Sequence, residues 1–379
     1  MIKSFKIRIY PTKEQEQKMR QHVGACRYIY NYMLAKQQER YEAGEKHLSH
    51  FDMVNLLKPL KNDGEHGWLY EVSSTSLQRV CGDLNEAYQA FFKKRSGFPR
   101  FKSCKRSKTN FPVRAENFYF KDDKLLNIEK VGKIKYKTDF EFPLGKGTCK
   151  FTNPRVSNIN GKWMLSFGME CENQVHQLND YSMGIDLGIK ETMVVAYSDK
   201  KLVFHNINKS KTVRTLKRKI KLLQRSISRK YETNRQGKKF VKTRNIERQE
   251  NKLRKLYARL SNIRNNYIHQ STHQLIELLP KRVVMEDLNV LGMMKNRHLS
   301  NAIQEQCFFE IIRQMQYKCE WNGIEFIQVD RFYPSSKTCH ACGCIKHDLK
   351  LSDRTFTCTC GYSEDRDYNA ALNLMSYSG

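Results

Sequence analysis

Asp330-Arg331-Phe332-Tyr333-Pro334-Ser335-Ser336-Lys337-Thr338-Cys339-His340-Ala341-Cys342-Gly343 is followed, after a charged segment, by Phe356-Thr357-Cys358-Thr359-Cys360-Gly361-Tyr362-Ser363-Glu364-Asp365-Arg366-Asp367-Tyr368-Asn369. Two cysteine pairs, Cys339-x2-Cys342 and Cys358-x-Cys360, bracket fifteen residues. Four thiolates suit tetrahedral zinc, and a glycine after each pair (Gly343, Gly361) lets the backbone pass close to the sulfurs. The spacing predicts a zinc ribbon rather than a redox or disulfide pair. Cys344, His340 and His347 are spare donors nearby, with Cys344 the alternative ligand. No open coordination position is implied, so the zinc is expected to stabilise rather than catalyse.

Working outward, the segment after the cysteines is an acidic turn opening a short helix over 368–376. Before them, residues 323–329 read as a strand, 303–322 as a helix and 282–288 as a strand ending in Glu286-Asp287. Further upstream, Met183-Gly184-Ile185-Asp186-Leu187-Gly188 reads as a strand, and 192–197 and 202–205 as two more in hairpin succession. Between these groups, Val213, Leu216, Ile220, Leu223 and Ile227 step by three and four, as do Leu253, Leu256, Leu260, Ile263 and Tyr267. That pattern predicts a helical hairpin turned at Asn234-Arg235-Gln236-Gly237, with a third helix over 267–279. The order β-β-β-α-β-α-β-α is that of the ribonuclease-H-like fold, an analogy that does not by itself establish chemistry.

In that arrangement the first and fourth strands are neighbours, and the last helix begins across from their ends. Asp186, mid-strand among apolar residues, is costly unless paired or bound to a cation. Glu286 and Asp367 would converge on it. Three carboxylates suit a hard divalent cation such as Mg2+ or Mn2+, whose bound water can attack a phosphodiester. Each acid also has a structural reading. Asp186 fits a satisfied strand-turn residue, Glu286 or Asp287 a helix cap, and Asp365 and Asp367 both fit capping roles.

The N-terminal half reads differently. Phe5, Ile7 and Ile9 alternate with Lys6, Arg8 and Tyr10, a half-buried strand ended by Pro11. Thr12 and Gln15 fit a capping box for a helical region reaching about residue 95, in which Leu77, Val80, Leu84, Ala87 and Phe91 share a face. Residues 111–172 read as short strands, with Asn160-Gly161 a hairpin turn. The expectation is a small β-barrel that takes in the first strand, with the helices inserted into it.

Lys and Arg number 68 against 39 acids, a formal charge of +29. Residues 93–108 carry eight Lys/Arg and no acid, and residues 209–260 carry twenty against three Glu. Excess charge concentrated in this way points to a polyanion, and nucleic acid leads. In 93–108, Lys93, Lys94, Arg95, Arg100, Lys102, Lys105 and Arg106 interleave with Phe98 and Phe101, just after Phe91 and Phe92. Cations meet phosphates and rings can stack on bases, although the rings equally fit core anchors. No apolar run approaches a membrane span, and the N-terminus reads as neither signal peptide nor anchor. Seven of the twelve cysteines are scattered, which suggests a reducing compartment. The expected location is the prokaryotic cytosol. No glycine motif for a nucleotide cofactor is present.

The motifs together resemble the TnpB family, transposon-encoded RNA-guided DNA endonucleases ancestral to type V CRISPR effectors. The resemblance runs over nearly the whole chain. It is carried by Phe5-Lys6-Ile7-Arg8-Ile9-Tyr10-Pro11-Thr12, Arg27-Tyr28-Ile29-Tyr30-Asn31, Gly97-Phe98-Pro99-Arg100-Phe101-Lys102, Gly184-Ile185-Asp186-Leu187-Gly188 and Val284-Met285-Glu286-Asp287-Leu288-Asn289, with the cysteine pairs and Asp365-Arg366-Asp367-Tyr368-Asn369-Ala370-Ala371 closing the set. It implies a multidomain α/β protein. A ribonuclease-H-like (RuvC) nuclease would span 180–334 and 362–379, with a helical insertion at about 209–279 and a zinc ribbon at 335–361. A wedge-like β-barrel would take 1–11 and 96–179, with a helical recognition domain at 12–95. The resemblance implies Asp186, Glu286 and Asp367 as the metal-binding triad, the family pattern selecting Asp367 over Asp365. It also implies Cys339, Cys342, Cys358 and Cys360 on zinc, a guide RNA from the transposon end, and double-stranded target DNA. Thr75 and Gln78 align with residues that read a short motif beside the target. The basic loop and helices, including Arg218 and Arg225, would hold guide and heteroduplex by their backbones. Two other functions are open to such a chain: a transposase joining DNA strands with the same acids, and a guide-directed repressor that does not cut.

Overall fold

The computed structural model describes all residues except 122–123, 173–175, 238, 351–352 and 379. The chain divides into two compact units, Met1–Glu172 and Asn173–Gly379.

The first unit opens with β1 (Ile2–Tyr10), which buries Ile7 and Ile9 and leaves Lys6, Arg8 and Tyr10 exposed. The capping box then forms. Thr12 Oγ1 accepts from the Gln15 amide, Gln15 Oε1 accepts from the Thr12 amide, and α1 (Lys13–Glu42) begins. Short helices α2 (His50–Asn55) and α3 (Leu57–Lys61) lead to α4 (Ser74–Phe92). On α4 the buried row is Leu77, Val80, Cys81, Leu84 and Tyr88, so Tyr88 takes the inward place expected for Ala87. Strands β2 (Asn110–Pro112), β3 (Phe118–Lys121), β4 (Leu125–Ile128), β5 (Gly132–Lys137), β6 (Phe151–Ile159) and β7 (Lys162–Glu170) join β1 in the order β2-β6-β7-β1-β5-β4-β3. Asn160-Gly161 closes the β6–β7 hairpin, with Ile159 opposite Lys162.

This sheet is a half-barrel. β2 and β3 stay unpaired to each other at its two edges. The curl shows in the rings: Phe118 on β3 lies 4.4 Å from Phe151 on β6, and Phe120 lies 5.6 Å from Phe167 on β7. A flat sheet would hold those strands several strand spacings apart.

The second unit starts with β8 (Asn179–Leu187), β9 (Glu191–Tyr197) and β10 (Lys200–His205). Helix α5 (Lys211–Thr233), a small turn ladder of β11 (Arg235–Gln236) and β12 (Lys239–Phe240), and α6 (Arg244–Ile276) form the helical hairpin. Its seam buries Val213, Leu216, Ile220 and Leu260. The separate helix expected over 267–279 is instead the continuation of α6. No Gly or Pro interrupts 244–276, and the apolar spacing carries on through Ile268 and Leu275 to Ile276.

Next come β13 (Pro280–Glu286), α7 (Val290–Met293), α8 (Ser300–Gln306), α9 (Phe308–Asn322) and β14 (Glu325–Val329). The single helix expected over 303–322 is broken at Cys307, which takes a left-handed φ of 57°. Gln306, just before the break, is held by Thr192 Oγ1 and the Ile189 carbonyl. A hairpin of β15 (Thr355–Thr357) and β16 (Ser363–Asp365) precedes α10 (Arg366–Met375). The main sheet runs β10-β9-β8-β13-β14, with β8, β13 and β14 parallel. This is the ribonuclease-H-like order, first strand beside fourth.

Candidate active site and metal centre

Side chains alternate along β8. Met183, Ile185 and Leu187 enter the core shared with α6 and α9, which leaves Gly184 and Asp186 on the opposite face. Helix α10 covers that face. A Cβ on Gly184 would lie 2.0 Å from the Ala371 carbonyl oxygen and 2.3 Å from the Met375 amide nitrogen. Glycine is therefore what lets α10 rest directly on β8. Parallel pairing sets Met285 opposite Ile185, so Glu286, the last residue of β13, follows on the Asp186 side. Asp367 lies in the first turn of α10.

The electrostatics centre on Asp186. Burial raises the Asp186 carboxyl well above the usual range, and the charges of Glu286 and Asp367 raise it further. Burial also raises Glu286, against a hydrogen bond from the Ser335 hydroxyl and the nearby Arg366 charge. Asp367 is raised by burial and then by Asp365, with Arg354, Arg366 and Lys190 pulling it down. Asp186 is thus a buried acid bearing the charges of two others, although the three carboxylates do not close into one ligand cluster as the cysteines do. All three offer carboxylate oxygens, the donor type that hard divalent cations prefer.

The capping alternatives separate cleanly. Asp365 Oδ1 accepts from the Tyr368 amide at 3.1 Å and is the N-cap of α10. Asn289, not Glu286 or Asp287, caps α7 through the Gly292 amide. Asp287 is paired with Arg331 at 2.6 Å. Asp367 and Glu286 are thus left free of capping duty.

The cysteines gather as a metal site. The sulfurs of Cys339, Cys342, Cys358 and Cys360 lie within 4.8 Å of one another, and among the described residues no other group of His, Cys, Asp or Glu gathers in this way. Cys339 and Cys360 are 3.7 Å apart, and Cys342 and Cys358 3.5 Å. A tetrahedron with metal–sulfur bonds of about 2.3 Å has edges of about 3.8 Å, so four thiolates around one zinc fit. Backbone amides point at the sulfurs, and the Cys360 amide pulls the Cys358 thiol down to about 6. Cys344 is outside the cluster; its carbonyl accepts from the Cys339 amide at 2.9 Å. His340 donates its amide to Asn369, and His347 is exposed.

Three side chains not singled out in the sequence join the cysteine segment to the acids. Asn373, buried on α10, donates to the Ser335 and Thr338 carbonyls, both at 2.7 Å. Asn369, one turn earlier, donates to the Thr338 carbonyl at 2.8 Å and accepts from the His340 amide. Ser335 in turn bonds Glu286. The signal available was two asparagines four apart on the face otherwise filled by Ala370 and Leu374.

The nucleic-acid candidates fall in both units. In the first, Thr75 and Gln78 line a cleft of about 400 Å3 with Arg79, Arg114, Asn153 and Arg155. Thr75 is already engaged by Ser73 and Glu129, while Gln78 is exposed. Lys93, Lys94, Arg95, Arg100, Lys105 and Arg106 are exposed. Lys102 is not: its backbone is clasped by the Asn31 side chain and its ammonium lies 3.5 Å over the Tyr30 ring. These contacts tie the loop to α1. Phe91 and Phe98 pack edge to face at 5.3 Å, yet Phe92, Phe98 and Phe101 remain exposed. In the second unit, Arg218 and Arg225 are exposed on α5.

Three family profiles match. They are described as "Helix-turn-helix domain" over residues 1–46, "Probable transposase" over 166–297 and "Cas12f1-like, TNB domain" over 308–374. Within 1–46 the structure has the strand β1 and one unbroken helix through Glu42. A relative from Streptomyces pristinaespiralis named "Putative RNA-guided DNA endonuclease" is 30% identical over 99% of this chain and 89% of its own. One from Escherichia coli, "Putative RNA-guided DNA endonuclease InsQ", is 31% identical over 99% and 92%. The fold resembles that of Cas12f1 in a complex with sgRNA and target DNA, with a TM-score of 0.60 at 14% identity over 99% of both chains. With these full-length relatives, the chain belongs to the TnpB family.

Proposed function

We propose that this protein is an RNA-guided DNA endonuclease. The observation that carries the reading is the placement of Asp186 and Glu286 at the ends of the neighbouring strands β8 and β13 and of Asp367 at the start of α10, which rests on β8, with Asp186 buried and bearing the charges of the other two. Asp186, Glu286 and Asp367 would hold Mg2+ or Mn2+, which when bound supplies an activated water and stabilises the leaving oxygen of a phosphodiester. The chain's own part is positioning. Gly184 seats α10 against β8, Asp365 caps it, and the Ser335 hydroxyl orients Glu286. Arg354, Arg366 and Lys190, the cations felt by Asp367, would draw the phosphate strand towards the acids.

Cys339, Cys342, Cys358 and Cys360 would hold a structural zinc. Asn369 and Asn373 couple that centre to α10 and hence to the acid the helix carries. The guide RNA, drawn from the transposon end, would pair with the target, while exposed cations at 93–106 and on α5 grip backbones. The cleft holding Thr75 and Gln78 would read the motif beside the target. Its mix of arginines, an asparagine and a glutamine suits base edges and phosphates. No helix among the described residues is long and apolar enough to cross a membrane. Work in the prokaryotic cytosol follows from the function proposed.

Asp186→Ala tests the site. The variant should bind RNA and target as the wild type does and fail to cut in magnesium. Retained cutting would remove Asp186 from the mechanism.

A further inference from the structure

Phe332 is the most exposed large apolar side chain among the described residues, at 87%. Its backbone is nonetheless fixed. Asp330 Oδ1 accepts from the Phe332 amide at 2.8 Å, and the Asp330 carbonyl accepts from the Tyr333 amide at 3.0 Å. Both flanks of this turn are tied to the acidic end of β13. On one side Arg331 pairs with Asp287 at 2.6 Å; on the other the Ser335 hydroxyl bonds Glu286.

The topology explains why the ring stands there. β13 and β14 are parallel, with Glu286 opposite Val329, so their outgoing loops leave side by side. Ligands of open α/β sheets bind outside the carboxyl ends of such strands. A phenyl ring held in water on a braced turn contributes nothing to the core beneath it. The charges around the acids, Lys190, Arg354 and Arg366, favour a polyanion over an apolar partner.

We propose that Phe332 is a stacking platform for one nucleobase of the DNA strand entering the carboxylate site. The inference rests on the nuclease reading above and adds a residue to it. The base must come from an unpaired strand, since duplex stacking hides the faces of its bases. Aromatic stacking of this kind tolerates any sequence, as a guide-directed enzyme requires.

The test uses the full chain with its guide RNA and a matched target duplex, read by single-turnover cleavage and, separately, target binding. Phe332→Ala should slow cleavage about 5- to 150-fold with target binding unchanged, and Phe332→Tyr should restore it. Single abasic residues are then placed in turn along each target strand. One position near a cut should slow the wild type by a similar factor and add nothing in Phe332→Ala. A loss of rate through mere misfolding would be additive at every position. A rate within twofold of wild type, additive losses throughout, or a change of oligomeric state with unchanged cleavage would overturn the inference alone. Failure of the wild type to cut would overturn the nuclease reading and this inference with it.

Discussion

Gly184→Ala adds one methyl group to β8, beneath α10. That carbon would sit 2.0 Å from the Ala371 carbonyl oxygen, where ordinary contact begins at 3.4 Å, so the helix or strand must shift by about 1.4 Å. The obstructing atoms are backbone, so no side chain can swing aside. Ala371 lies one helical turn beyond Asp367, and a shift there moves Asp367 relative to Asp186. Misplacement of about 1 Å commonly costs about 100-fold in rate, and overpacking about 1–3 kcal/mol in stability. Cleavage of a guide-matched target should therefore fall about 100-fold under single-turnover conditions, with RNA binding retained. Gly24→Ala is the control. It lies inside α1 with nothing within 4 Å of the added carbon, and should raise stability by about 0.5–1 kcal/mol without affecting cleavage. A Gly184→Ala protein cutting at the wild-type rate would refute the claim that close helix–strand approach positions the acids.

Three further outcomes follow from the same contacts. Because burial and its acidic neighbours raise Asp186, its contribution to metal-free stability is full below the ordinary carboxylate range and is lost as pH rises through the raised value. Asp186→Asn should then melt higher than wild type at neutral pH without divalent metal, by about 3 °C per kcal/mol relieved, and the gap should close towards about pH 4; added magnesium should stabilise the wild type and not the variant. Asn373→Ala leaves the buried Ser335 carbonyl without its donor, while the Thr338 carbonyl keeps that of Asn369, and should cost about 1–3 kcal/mol in thermal unfolding, with cleavage reduced and RNA binding spared. Elemental analysis should find about one zinc per chain, lost in Cys358→Ser and kept in Cys344→Ser, and loss in Cys344→Ser would move the ligand set.

Much of this was legible because a few physical signals are local. Alternation marked β1, spacing by three and four marked the α5–α6 seam, and paired cysteines with following glycines marked the metal centre. Other features depend on partners distant in sequence. The break at Cys307 follows from Gln306 finding Thr192 and Ile189, which no window around residue 307 contains. Single letters could not separate Asp365 from Asp367 as cap and free acid; the separation needs the Tyr368 amide to be in place. The bracing by Ser335, Asn369 and Asn373 was missed because amides and hydroxyls next to motifs read as ordinary polar surface until their carbonyl partners are fixed. Lys102 differs from its neighbours for the opposite reason: a cation in a basic run looks solvated, but Asn31 and Tyr30 engage this one. The half-barrel's open edges lie in strand pairing, which composition does not specify.

The central claim is that bound RNA directs where the carboxylates cut. The direct measurement is to purify the chain with its RNA, replace the guide segment with an unrelated sequence, and map cuts in magnesium on a DNA carrying both targets. The account predicts that cutting moves to the new target, that RNA-free protein does not cut, and that Asp186→Ala cuts neither target while binding both guides. Cutting that stays at the old position, or proceeds equally well without RNA, would contradict it.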